Sequence, residues 1–304
     1  MKPIVKGNIS MLISKTFSGL NENALRYLLP VWMSAYSGVV MRLGFGTLFF
    51  WAGSMLNSSS RRAVTSLRDR LSLFALGAVC VFGYMFCLLQ GLTYTTPISS
   101  SIFISMQPVW VFLICVVFLK EKISMMKVGG ILLGLGGALL IILTQKASDV
   151  ASDPFLGNMY CLGSSLLYAV FLVLEKRFLK NIDMFTANKW TFLGGSVSAL
   201  VMICFTGWDA AVLHCGLFST PILALLFILV FPASVSYLLL AVGLRNLSAT
   251  VVALYGYLIL IIAAVVSYIL GQDHFDSWQI LSMVMIVLSV YFMEIAESRR
   301  VADH

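Results

Sequence analysis

The sequence predicts an all-α polytopic membrane protein, with ten transmembrane helices arranged as two inverted five-helix repeats. Composition, the spacing of apolar runs and the placement of basic residues carry that expectation. Of 304 residues, 60% are hydrophobic and 11% charged, and the mean hydropathy is +0.96. Soluble domains carry about 25% charged residues, so a chain this poor in charge cannot coat its own surface with polar groups. The apolar excess recurs in runs of roughly twenty residues, enough helix to cross about 30 Å of hydrocarbon. Disorder, a disulfide-stapled secreted module and a nucleic-acid binder are excluded, although the net charge is +7.

The spans run approximately over 5–21, 32–54, 71–91, 98–119, 126–144, 156–174, 187–206, 221–242, 248–270 and 277–295. The first is the weakest, because Asn8, Ser10 and Lys15 interrupt it; with no small-residue cleavage site behind them, it does not read as a signal peptide. The longest connection, Leu56 to Arg70, leaves no room for a soluble domain. Trp32, Trp51, Trp190, Trp208 and Trp278 fall near span ends, as an aromatic belt requires. If the N-terminus is cytoplasmic, 16 Lys and Arg residues lie on the cytoplasmic side and only Arg26 and Lys146 outside, with Lys15 and Arg42 inside spans. This positive-inside split predicts a multi-pass protein of the cell (inner) membrane with both termini cytoplasmic. Five of six cysteines fall in apolar runs, where a thiol behaves as a small hydrophobe.

An internal repeat links the halves. Gly7-Asn8 recurs as Gly157-Asn158, Leu12 and Ser14 recur as Leu162 and Ser164, and Gly91-Leu92 recurs as Gly243-Leu244. The register divides the chain into residues 1–148 and 149–304, five spans each. Five is odd, so the second half enters the membrane from the opposite side. Such inverted repeats are a transporter architecture, with the substrate site near the midplane between them.

With Ser18-Gly19-Leu20-Asn21, Pro30, Arg42, Gln90-Gly91-Leu92, the run from Pro97 to Lys122 with Gln107-Pro108 inside it, and the glycines at 129, 130, 134, 136 and 137, the chain resembles the EamA-type branch of the drug/metabolite transporter superfamily. In the second half, Ile259 and Leu260 stand where the repeat register matches Gln107 and Pro108, so the sequence gives no reason to expect both halves to bend alike. The resemblance implies export of small metabolites, amino acids or related compounds, or of toxic organic molecules and drugs.

Candidate substrate-binding residues follow from depth and polarity. Lys15 and Arg42 each lie roughly 15 Å into a span, too deep for easy snorkelling. They must therefore face protein or a wet cavity, either to attract a carboxylate or phosphate or to hold helix ends together. Pro108 removes a backbone hydrogen bond mid-span, which makes Gln107-Pro108 a cavity lining, a hinge or a packing kink. Asn21, Gln90 and Ser101 add polar groups, Ser101 with packing as its competing role. Among span tyrosines, Tyr168, Tyr237, Tyr255 and Tyr257 are candidate cavity walls; Tyr255 and Tyr257 occupy the helix matched to Gln107. The glycine-rich helix 126–144 reads as a packing surface, within the subunit or across a homodimer. Every acidic residue is placed in a loop or at a span end. That argues against an intramembrane proton-exchanging carboxylate and leaves facilitated diffusion, exchange or coupling through Glu121.

The leading expectation is a secondary transporter working by alternating access on a small-molecule substrate in a lipid bilayer. A cavity of Lys15, Asn21, Gln107 and tyrosines suits a zwitterion or weak acid better than a lipophilic cation. An enzyme is not expected: there is no HExxH, and His214, His274 and His304 lie outside the spans or at the tail. No cofactor, metal or nucleic acid is expected. A membrane protein that senses or scaffolds without transport is the remaining class.

Overall fold

The computed structural model describes residues 3–57, 65–119, 125–144, 151–247, 249–271 and 276–302, and every regular element among them is helical. Helix α1 spans Pro3–Leu28, α2 Ala35–Leu56, α3 Leu67–Tyr94, α4 Pro97–Ile104, α5 Gln107–Leu119 and α6 Met125–Thr144. Then follow α7 Pro154–Leu179, α8 Met184–Thr206, α9 Thr220–Asn246, α10 Ala249–Leu254, α11 Gly256–Ile269 and α12 Ser277–Ala302. Among the described residues, seven helices are long and apolar enough to cross a membrane. They are α2, α3, the run Pro97–Ile114, α7, α8, α9 and the run Val251–Ile269.

Short polar residues start these helices. The side chains of Ser34, Thr96, Asp153 and Asp183 each accept a bond from a backbone N–H in the first turn, satisfying donors that a helix leaves orphaned. Pro97 and Pro154 follow their caps in the first turn, where a missing N–H is harmless.

Helix α1 corrects the expected span 5–21. It has 26 residues, about 39 Å of helix, and continues to the turn before Pro30. Glu22 is therefore inside a helix and buried, not at a span end. Glu175 is likewise inside α7 and 1% exposed. Glu22, which also lines the central cavity, departs from the expectation that every carboxylate sits in a loop or at a span end, whereas Glu175 is buried close to the end of α7.

Two helices carry a π segment, Gly77–Val81 in α3 and Phe231–Val235 in α9. Such segments loosen the backbone ladder, and serines cover carbonyls there: Ser198 Oγ donates to Ala78 O at 3.1 Å and Ser234 Oγ to Leu229 O at 3.0 Å. Two further breaks, at Ser105-Met106 and at Tyr255, separate α4 from α5 and α10 from α11. The second occurs without proline. Gly256 lies beside the Ile104 carbonyl and the Ser105 backbone, so the two breaks meet.

Helices pack in a crossed pattern: α1 on α9 and α11, α7 on α3 and α5, α2 on α8, and α6 on α12. The glycine face of α6 is occupied within the chain. A Cβ at Gly137 would meet Ile286 and Met285, one at Gly134 would meet Ser289, and Ser289 Oγ donates to Gly130 O at 2.6 Å. That face is covered by α12, so the stripe is used inside the subunit.

Candidate functional site

The crossing helices line a central, partly open cavity of about 60 Å³. A water needs at least about 10–15 Å³ on this measure, so several waters or a small solute fit. Its wall draws on α1, α2, α3, α4 and α5 from the first half and on α7, α9 and α11 from the second. Each polar position is a helix face turned inward, with the lipid-facing sides of the same helices carrying residues such as Leu12, Leu48 and Leu166.

Six expected residues meet here: Lys15, Asn21, Arg42, Gln107, Tyr168 and Tyr237. Lys15 is 2% exposed, and its ammonium lies 5.1 Å from the Tyr168 ring centroid. At that distance a cation over an aromatic face is attracted by the ring quadrupole. Arg42 is buried within Coulombic range of Tyr237 and Glu22. Its Nε and Nη1 have no hydrogen-bond partner, so it is not tied to backbone carbonyls through them.

The other expected residues lie elsewhere. Gln90 is buried outside the cavity wall. Ser101 turns back on its own helix, donating to Ile98 O at 2.8 Å. Pro108 sits behind the wall, and Tyr255 is half-buried against the main core. The side chain of Tyr257 lies outside the described residues, as do Lys120, Glu121 and Lys122.

Tyr84, a span tyrosine with the same wall expectation, also lines the cavity, whereas sequence reasoning missed Glu22, Ser14, Ser18, Ser164, Ser165 and Ser236 as wall residues. Glu22 matters most: its Oε2 accepts from Ser100 Oγ at 2.8 Å, and it is the acidic group facing two cations. Its signal was its place one turn inside a helix ended by Pro30.

The wall also holds polar atoms with nothing to bind. Asn21 Oδ1, Gln107 Oε1, Tyr84 OH and Ser165 Oγ are buried without partners, together with the two Arg42 nitrogens. Buried polar groups are normally paired, and an orphan costs roughly 1–3 kcal/mol. Several orphans converging on one void, with both donors and acceptors represented, mark a place that a polar ligand or ordered water completes.

Comparison with known proteins agrees with the resemblance. The model of the EamA-like transporter family matches residues 5–143 and 155–295. The chain belongs to that family. It is 23% identical over 292 residues to an uncharacterized transporter, YyaM, of Bacillus subtilis (strain 168), covering 93% of this chain and 91% of the relative. An uncharacterized transporter of Archaeoglobus fulgidus is 25% identical over 222 residues, covering 73% and 74% of the two chains. A solved crystal structure matches with a TM-score of 0.65 over 98% of both chains at 15% identity, a likeness of fold alone. The EamA-like chain is thus a multi-pass membrane transporter by family.

Proposed function

We propose that this transporter exports small metabolites such as amino acids across the cytoplasmic membrane by alternating access between two inverted five-helix halves, residues 1–148 and 149–304. The single observation that carries the reading is the central cavity. It is walled by both halves, holds Lys15, Arg42 and Glu22 together, and leaves donors and acceptors unpaired. An α-amino acid supplies both missing charges: its carboxylate suits Lys15 and Arg42, and its ammonium suits Glu22. A lipophilic drug cation would leave both basic groups uncompensated, which is costly at membrane depth.

Repeated contacts support the two-fold arrangement. Ser14 Oγ donates to Ser236 O and Ser164 Oγ donates to Tyr84 O, both at 2.9 Å, and these partners correspond in the repeat register. Gly7 packs where a Cβ would meet Leu247, and Gly157 where one would meet Thr95, again matched positions. The π segments and the helix breaks also recur in the two halves, close to that register. Reading α1, α6 and α12 as spans beside the seven apolar runs would give ten crossings, and the 16-to-2 distribution of basic residues supports a cytoplasmic position for both termini.

Efflux from proteoliposomes loaded with labelled amino acids tests the reading. Selective, protein-dependent loss of one class supports it. Retention of every amino acid under imposed pH and sodium gradients, by protein that remains monodisperse, would remove amino acids as the substrate.

A further inference from the structure

Away from the cavity, three helices bring two cations and two indoles together near one end of the bundle. Trp51 of α2 and Trp190 of α8 pack edge to face, with ring centroids 5.9 Å apart. The Lys189 ammonium of α8 stands over the Trp51 ring at 5.4 Å, and the Arg70 guanidinium of α3 over the Trp190 ring at 5.8 Å. Both distances are within the range at which an aromatic face attracts a cation. A snorkelling side chain reaches out into water; these two lie back on rings of neighbouring helices, and all four residues are half-buried.

The cluster is rich in donors and short of acceptors. Arg70 and Lys189 lie within Coulombic range of each other, and two cations kept that close repel. Arg70 Nε donates to Thr65 Oγ1 at 2.9 Å, which helps to hold the guanidinium over Trp190. Asp183 is within Coulombic range of Lys189, but its Oδ2 already accepts from the backbone N–H groups of Phe185 and Thr186 at the start of α8. Asp69 Oδ2 accepts from Ser66 Oγ at 2.7 Å at the start of α3. The Trp51 indole N–H is buried with no acceptor.

Depth and surroundings point to what supplies the missing acceptor. Arg70 is the fourth residue of α3, Lys189 the sixth of α8, and Trp51 the sixth from the end of α2. At 1.5 Å per residue each lies about 5–8 Å inside its helix end, the level at which tryptophan and basic residues meet lipid headgroups. Deeper in the bundle, Leu48 and Val197 are exposed on the helix faces that carry Trp51 and Trp190. A headgroup seated on the cluster therefore has apolar surface beneath it for its acyl chains.

We propose that Arg70 and Lys189, seated on the Trp51–Trp190 pair, bind the phosphate of an anionic phospholipid whose acyl chains lie along α2 and α8. The phosphate supplies charge-assisted acceptors and offsets the repulsion between the two cations. Because those cations come from α3 and α8, the bound lipid ties the two helices together. In the topology proposed above, the cluster faces the cytoplasmic leaflet, where anionic headgroups bind basic pockets between transmembrane helices. The site itself does not depend on what the protein transports.

The test uses the purified full-length protein in a neutral detergent. Its melting temperature is followed on titration with phosphatidylglycerol, with zwitterionic phosphatidylcholine of the same chain length, and with inorganic phosphate. Phosphatidylglycerol is expected to raise it saturably by at least about 2 °C, and the other two to leave it unchanged. Arg70→Gln and Lys189→Gln each lose most of that rise. Lys189→Arg, which keeps the charge, retains it, as does Arg245→Gln, which removes an exposed cation elsewhere on the surface. Equal rises with the two lipids overturn the proposal. So does a phosphatidylglycerol response that both glutamine variants keep in full, which would reflect diffuse attraction to a basic face. An equal response to inorganic phosphate makes this a site for the free anion and overturns the lipid assignment. Photoreactive phosphatidylglycerol decides without any variant, should the glutamine variants fail to fold: crosslinks within 67–74 or 185–193 of the wild type support the site, and crosslinks only elsewhere overturn it. None of these readouts depends on flux, so their failure leaves the amino-acid reading of the cavity standing.

Discussion

The Lys15 ammonium sits 5.1 Å from the Tyr168 ring centroid, across the seam between the two halves of the chain. One residue comes from α1 and the other from α7, and both face the same void. A buried charge held by an aromatic face keeps its hydrogen-bonding capacity for something else. If that something is a substrate carboxylate, Lys15→Met lowers the transport kcat/KM for an amino acid about tenfold or more, which corresponds to roughly 1.4 kcal/mol of lost interaction. Expression and monodispersity stay normal, because methionine fills a similar volume. Initial efflux rates from proteoliposomes at equal protein incorporation measure it. Unchanged transport by Lys15→Met would place the residue outside the substrate site.

Glu22 gives a sharper test, because it separates one end of a zwitterion from the other. With Ser100 donating to one oxygen, the carboxylate retains capacity to accept from a substrate ammonium. Glu22→Gln is expected to raise KM about tenfold for the amino acid. It should leave transport of the corresponding carboxylic acid without the amino group nearly unchanged. Equal losses for both compounds would mean that Glu22 organises the wall rather than reading the substrate.

Ser14 and Ser164 provide a structural prediction. Each hydroxyl donates to a carbonyl on a helix of the opposite half, at the same distance. Interhelical bonds of this kind average about 0.6 kcal/mol in membranes. Ser14→Ala and Ser164→Ala should each destabilise by about that amount, with losses that add in the double variant. Unfolding midpoints in mixed micelles check this. A large loss for one serine with none for the other would argue against equivalent roles in the two halves.

How much of this was legible in the sequence depended on what the signal was. Lys15 and Arg42 stood out because a charge in the middle of an apolar run has few explanations. Glu22 and Glu175 were hidden by the same logic. Hydropathy draws a span shorter when its end is polar, yet the helix backbone continues until a turn stops it, so Glu22 was assigned to an end it does not occupy, and the burial of Glu175 near the end of α7 was not visible at all. The break at Tyr255 was illegible because no proline marks it; it depends on Gly256 approaching the Ile104 carbonyl from another helix, a tertiary contact. Likewise, nothing in sequence distinguishes Ser101, turned onto its own backbone, from Ser165, buried in the cavity wall. The crossed contacts of the two halves required the fold: Gly7 and Gly157 were legible as a repeat, but not as the places where Leu247 and Thr95 approach.

The contact between α3 and α8 leads to a pair of substitutions with opposite expected signs. A Cβ at Gly194 would run into the Phe74 carbonyl, and one at Gly77 into the Thr191 carbonyl. Backbone cannot move aside as a flexible side chain does, so the two helices must separate to admit a methyl group. Overpacking of this kind costs about 1–3 kcal/mol, and Gly194→Ala should lower the melting temperature and the yield of monodisperse protein. Gly44, on α2, has nothing within 4 Å of the position a Cβ would take. There the methyl meets no clash and the helix loses a flexible residue, so Gly44→Ala should be neutral or stabilising by up to about 1 kcal/mol. Because α3 also carries Tyr84, which lines the cavity, and Phe192 of α8 packs on the lining Tyr237, any separation caused by Gly194→Ala should reduce transport beyond its effect on yield. Transport per folded molecule, set against the melting shift, separates the two effects: activity falling with Gly194→Ala and preserved with Gly44→Ala would tie close packing of these helices to the shape of the site. Equal behaviour of the two variants would mean that the α3–α8 approach is less tight than the structure describes.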